Sequence, residues 1–204
     1  MGILRGALTA RRYTAQGETP EGFRITYVEA LNAYGFRDPG SKTSKEETWG
    51  WVRPQNLLYS DFDDLNHWLF GHYALFGLRV DKKVLPAALF RAHLDRAVSE
   101  WCLESGQKVA PRGVKAELKE RLEFEWLKRA IPRVRVTEVC WNMAEGTVLF
   151  ANLSDRENDR FRKLFHQTFG LRLNPTNPLD WLGDEDLALA LEQTGGSNLE
   201  VRRG

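Results

Sequence analysis

The chain has 204 residues, 42% of them hydrophobic and 28% charged, with a formal net charge of +1, the proportions of an ordinary soluble globular protein with a sizeable core. Near-neutrality excludes a protein that is basic all over, and no apolar run approaches the roughly 20 residues needed to cross a bilayer. Arg5 interrupts the short apolar opening, so it is no secretion signal, and the two cysteines, Cys102 and Cys140, read as buried apolar residues of a cytosolic protein.

In chain order, residues 3–14 read as a strand, with Leu4, Ala7 and Thr9 interleaved among polar or small residues. A turn follows. Thr19 is placed to cap a helix whose first residue is Pro20, whose apolar positions are Phe23, Ile25, Tyr27, Val28, Leu31 and Tyr34, and which closes at Gly35. Residues 38–44 are a loop, 48–52 a short strand ended by Pro54, and 61–66 a polar turn. Residues 67–80 are dense in aromatics, and Gly71 and Gly77 predict a twisted or bulged strand there.

Two long helical patterns come next. The first opens at Pro86, carries Leu85, Leu89, Phe90, His93, Leu94, Val98, Trp101 and Cys102 at helical spacing, and stops near Gly106. The second begins at Pro111, with Val114, Leu118, Leu122, Trp126 and Leu127 on its apolar side. Its opposite face displays Arg112, Lys115 and Lys119; Lys108 precedes it, and Lys128, Arg129, Arg133 and Arg135 follow near its end. Glu117 with Arg121 and Glu125 with Arg129 have the favourable acid-before-base spacing. Two readings therefore stay open for this stretch, a solvated face laced with ion pairs and a polyanion site.

Beyond it, Val134, Val136, Val139 and Trp141 alternate as in a strand, residues 144–146 form a turn, and 147–153 form a second strand. Ser154 and Glu157 have the spacing of a capping box for a helix that buries Phe161, Leu164, Phe165 and Phe169 and ends at Gly170. Residues 171–177 are extended, 181–193 helical and 195–204 frayed. The order βαββ-αα-ββα-α is an α+β architecture: small antiparallel sheets with helices on one face, joined by a central helical hairpin. The parts are residues 1–81, 82–132 and 133–204, or one continuous domain.

Catalytic signatures are missing. There is no phosphate-cradling glycine loop, His-Glu-x-x-His, Cys-x-x-Cys or nucleophile elbow, and His67, His72, His93 and His166 are scattered. Asp61, Asp63 and Asp64 lack a partner acid or histidine at metal-site spacing and read as a solvated turn. The expectation is a protein that is no enzyme and needs no metal or cofactor.

The opening strand, the run Gly50-Trp51-Val52-Arg53-Pro54, the run Lys82-Lys83-Val84-Leu85-Pro86, Leu118-Lys119 and Leu127-Lys128-Arg129-Ala130-Ile131 occur in that order, followed by a Trp-containing strand and a hairpin. This order resembles the RdgC family of bacterial recombination-associated proteins, over about residues 1–181. The resemblance implies a cytoplasmic, nucleoid-associated protein that binds double-stranded DNA without sequence preference. It further implies a homodimeric ring around the duplex with a basic inner surface, restraining recombinase filaments. Lys82, Lys83, Lys119 and Arg129 match that surface; Arg112, Lys115, Lys128 and Arg133 join them on charge alone. Lys128 and Ile131 depart from the family's Leu-Pro-Arg-Ala-Phe, and family members are longer, so an open clamp is an alternative to a ring. A second alternative is a scaffold or regulatory subunit that has lost DNA encirclement and binds protein through the aromatics near Trp49, Trp51 and Trp68.

Overall fold

The computed structural model describes residues 3, 6–40, 46–176 and 185–193. One antiparallel sheet collects strands from both ends of the chain: β1 (Arg11–Gln16), β2 (Glu47–Val52), β3 (Leu69–Phe70), β4 (Tyr73–Lys82), β5 (Arg133–Asn142), β6 (Thr147–Phe150) and β7 (Arg172–Pro175). The strand order is β2-β4-β5-β6-β1-β7, with β3 also on β4. The helices are α1 (Phe23–Ala33), α2 (Ala87–Ser105), α3 (Arg112–Arg129), α4 (Asp155–Phe169) and α5 (Glu185–Gln193). The α+β expectation holds, and the small sheets it foresaw are joined into one, because β4 pairs along its length with β5 and β1 inserts between β6 and β7.

Alternation decides which face is covered. Ala74, Phe76, Leu78 and Val80 of β4 lie on the same face as Val139 and Trp141 of β5 and Val148 and Phe150 of β6, and all are buried. The apolar stripe of α4 packs there. Phe161 stacks on Phe150 with ring centroids 4.2 Å apart, and Phe165 and Phe169 meet Trp141 at 5.3 and 5.2 Å. Tyr27 of α1 closes on Trp141 and Phe169. The large rings supply most of the buried apolar area, the main favourable term in folding.

Several polar groups inside this core are paired, while the Tyr27 hydroxyl and Trp141 Nε1 have no hydrogen-bond partner among the described residues. Trp51 Nε1 donates to Thr168 Oγ1 at 2.8 Å, and Trp68 Nε1 to the Phe62 carbonyl at 3.1 Å. Ser154 takes the N-cap position of α4, but its side chain makes no capping bond, and Glu157 turns to Arg160 instead of closing a capping box. Asn158 does the work at that end: it accepts from the Tyr13 hydroxyl at 2.5 Å and donates to the carbonyls of Asn152 and Ser154.

Other boundaries shift for local reasons. β1 starts at Arg11, where pairing with Phe150 begins. α1 is capped at Gly22, in the left-handed conformation, and not at Thr19. The aromatic run over 67–80 is a tight hairpin: Gly71, at φ 62°, reverses the chain between β3 and β4. The extended stretch after Gly170 pairs with β1 as β7. Of the terminal helix expected over 181–193, residues 185–193 are helical, and the expected frayed end lies outside the described residues.

The central helical hairpin fills the connection between β4 and β5, whose pairing runs out to Lys82 opposite Arg133. Its seam is half-buried: Trp126 of α3 meets Phe90 and His93 of α2, with centroids 5.6 and 5.0 Å apart, and α2 has no fully buried residue. Gly106, at φ 66°, ends α2 as its position predicts. At the root, buried Lys83 donates from Nζ to the Leu127 carbonyl at 2.7 Å, anchoring the last turn of α3 to the end of β4.

Candidate nucleic-acid interface

The basic residues singled out in the sequence fall into three groups. Arg112, Lys115 and Lys119 form one exposed stripe along α3, since three- and four-residue steps return to the same side of a helix. Among the described residues none of the three has an ion-pair partner. The Glu117–Arg121 and Glu125–Arg129 pairs expected there are not closed either, and the ion pair seen on the two helices is Arg96–Glu100, at 3.6 Å. The stripe is therefore not a face whose charges cancel in pairs.

The second group lies at the hairpin root. Lys128 Nζ sits 4.0 Å from the centroid of the Phe124 ring, and Arg129 is exposed. Lys83 stands apart. At 8% exposed, with its ammonium on the Leu127 carbonyl, it braces the hairpin and presents no charge to solvent. A buried lysine must be bonded to remain there, and nothing in the Lys82-Lys83 repeat shows which of the two turns inward.

The third group is at the sheet end from which the hairpin springs. Lys82 and Arg133 are directly paired across β4 and β5 and so share a face; Arg135, opposite Val80, shares it too, and all three are exposed. Glu47 of β2 lies across from Lys82, yet its carboxylate is taken by Arg160 at 2.6 Å and Arg156 at 3.1 Å. Arg156 was not foreseen. Its sequence neighbours carry no basic bias, and only the fold brings the start of α4 beside β2.

The three aspartates of the polar turn have separate duties. Asp61 pairs with Arg53, Asp63 accepts from Asn32 at 2.7 Å, and Asp64 accepts from the Asn66 backbone N–H at 2.9 Å. That last bond holds the exposed Asp64 carboxyl below its usual range. Among the described residues no group of histidine, cysteine and acidic side chains is arranged to hold a metal ion. No helix among them is long and apolar enough to cross a membrane.

Comparison with known proteins now bears on this surface. Residues 20–185, which include the helical hairpin and all strands but β1, match the family model described as "Putative exonuclease, RdgC". The chain belongs to the RdgC family. It is also 27% identical, over 146 residues, to the "Recombination-associated protein RdgC" of Psychromonas ingrahamii. That alignment covers 71% of this chain and 46% of the relative, so the chain spans about half the length of the RdgC protein it matches. The two RdgC descriptions differ, one naming an exonuclease and the other a role in recombination.

Proposed function

We infer that this RdgC-family chain binds double-stranded DNA without sequence preference and acts in recombination without being an enzyme. The observation that carries this reading is the stripe Arg112, Lys115 and Lys119, exposed and without ion-pair partners among the described residues, on a protein of net charge +1. Unpaired cations set on a rigid helix neutralise phosphates and release counterions, which drives sequence-independent binding. Lys82, Lys128, Arg129 and Arg133 extend the surface toward the root; Lys83 is left out because it is buried. α3 has 18 residues and so is about 27 Å long, an arm long enough to lie along several phosphates. In this reading two copies clamp or encircle the duplex, and a coated duplex restrains a recombinase filament.

The test is Arg112→Glu, Lys115→Glu and Lys119→Glu together. Duplex affinity should fall by two orders of magnitude or more while the circular dichroism spectrum and melting temperature hold. Parent-like binding by the triple variant would remove the stripe from the interface. In the protein-docking alternative the surface is carried by Trp49, Phe70 and Tyr73, which are exposed, since Trp51 and Trp68 are fully buried.

A further inference from the structure

We propose that the sheet end beside the helical hairpin, which shares Lys82 and Arg133 with the duplex surface, is also a seat for one unpaired nucleotide of a single strand, with Trp49 stacking the base and Lys82, Arg133, Arg135 and Arg156 taking the flanking phosphates. The charge comes first. On this face Lys82, Arg133, Arg135, Arg156 and Arg160 meet two carboxylates, Glu47 and Glu157. Glu157 is bound to Arg160, and Glu47 to Arg160 and Arg156. Lys82, Arg133 and Arg135 have no ion-pair partner among the described residues. Like charges directly opposed on neighbouring strands destabilise a sheet, so Lys82 facing Arg133 is a cost that an anion bound between them relieves. Arg133 and Arg135, two positions apart, stand about 6.7 Å from each other along the strand, far enough to hold separate phosphates.

The aromatic group is next to them. Trp49 lies opposite Val80, which lies opposite Arg135, so tryptophan, valine and arginine form one row across three strands on the same face. The indole is 47% exposed, unlike the buried Trp51, Trp68 and Trp141 of the core. The Arg160 guanidinium lies over its ring at 5.0 Å, and the ring borders a cleft of about 470 Å³ that Tyr34, Arg37 and Gln167 also line. An exposed tryptophan beside a basic row, with a cleft at its edge, is the combination that binds single strands through stacking plus backbone attraction. In a duplex the bases are stacked on each other and give Trp49 nothing to engage, so the occupant is single-stranded.

β6 pairs with the 139–142 half of β5 alone, which leaves the Arg133 end of that strand as an edge without a further strand partner among the described residues. Charged residues also guard such edges against strand addition, and the experiment separates the two roles. Binding of a short fluorescent oligothymidylate and of a short duplex is measured at low salt for the full chain, for Trp49→Leu, and for Arg133→Glu with Arg135→Glu. The expected result is a loss of about 5- to 150-fold in single-strand affinity for Trp49→Leu, the worth of one stacked base, with duplex affinity unchanged. The charge-reversed pair should lose single-strand affinity and lower the slope of log affinity against log salt by about two phosphates. Single-strand binding unaltered in both variants overturns the seat, as does absence of single-strand binding by the parent; self-association of the charge-reversed pair with unaltered binding assigns the arginines to edge protection and also overturns it. Because Arg133 also belongs to the duplex surface, the two readings are separated by Trp49→Leu, which touches single-strand binding alone, and by the α3 triple variant, which tests the arm.

Discussion

At the residue scale, the side chains that matter are those whose environment contradicts their type. Lys83 is the clearest: a lysine in the interior whose ammonium donates to the Leu127 carbonyl. Lys83→Met should keep the packing of the stem and leave the Leu127 carbonyl without its donor. The expected cost is about 1–3 kcal/mol, read as a lower melting temperature, with the salt dependence of duplex binding unchanged. A changed salt slope with an unchanged melting temperature would move Lys83 to the surface. Asn158 binds β1 and the start of α4 with one amide. Asn158→Leu should cost at least as much, since it strands the Tyr13 hydroxyl and the Asn152 carbonyl, while the Ser154 carbonyl keeps the backbone N–H of residue 158. Tyr13 and Tyr27 also set an alkaline limit. Burial pushes both phenols above their ordinary pKa. The folded state thus keeps protons that the unfolded state releases, and their contribution is intact below the unfolded value near pH 10 and lost as pH rises beyond it. Urea denaturation at pH 8 and pH 10.5 should show that loss, and a chain carrying Tyr13→Phe and Tyr27→Phe should show a flatter dependence between the same two pH values.

At the element scale, the helical hairpin and the sheet have different kinds of stability. The hairpin buries little beyond its own seam, while the sheet holds the aromatic core. Its two helices and their ends were legible because helical spacing, Pro86, Gly106 and Pro111 are local signals. The hairpin turn at Gly71 was not, because a run of aromatics reads the same whether it is one strand or two. Gly50 shows how a motif can be visible in sequence without its reason. The segment at Phe36 crosses β2 so closely that a Cβ at Gly50 would meet the Phe36 Cα at 2.5 Å. Phe36 N–H bonds to the Trp51 carbonyl there, so the backbone cannot move aside freely. Gly50→Ala should therefore cost about 1–3 kcal/mol or more, measured by denaturant unfolding. Parent-like stability would mean that this crossing yields easily.

At the scale of the whole molecule, near-neutral charge conceals an uneven distribution. In the acidic turn Asp61 pairs with Arg53 and Asp63 and Asp64 accept local hydrogen bonds, while the α3 stripe and the sheet end keep cations without acidic partners among the described residues. The α+β class was legible because element type follows from periodicity. That one sheet gathers both ends of the chain was not, since long-range strand order leaves no local mark. The same limit applies to the surface. Spacing alone aligned Arg112, Lys115 and Lys119, whereas the meeting of Arg156, Lys82 and Arg133 needed three separate elements to fold together.

Binding of a short duplex across a salt series, for the parent and the α3 triple variant side by side, tests the phosphate-binding arm most directly. The parent should bind at low salt with log affinity falling linearly in log salt, and the variant should lose about 2.7 from that slope, 0.9 for each phosphate released. Equal slopes, or no duplex binding by the parent at low salt, would contradict a DNA-binding arm.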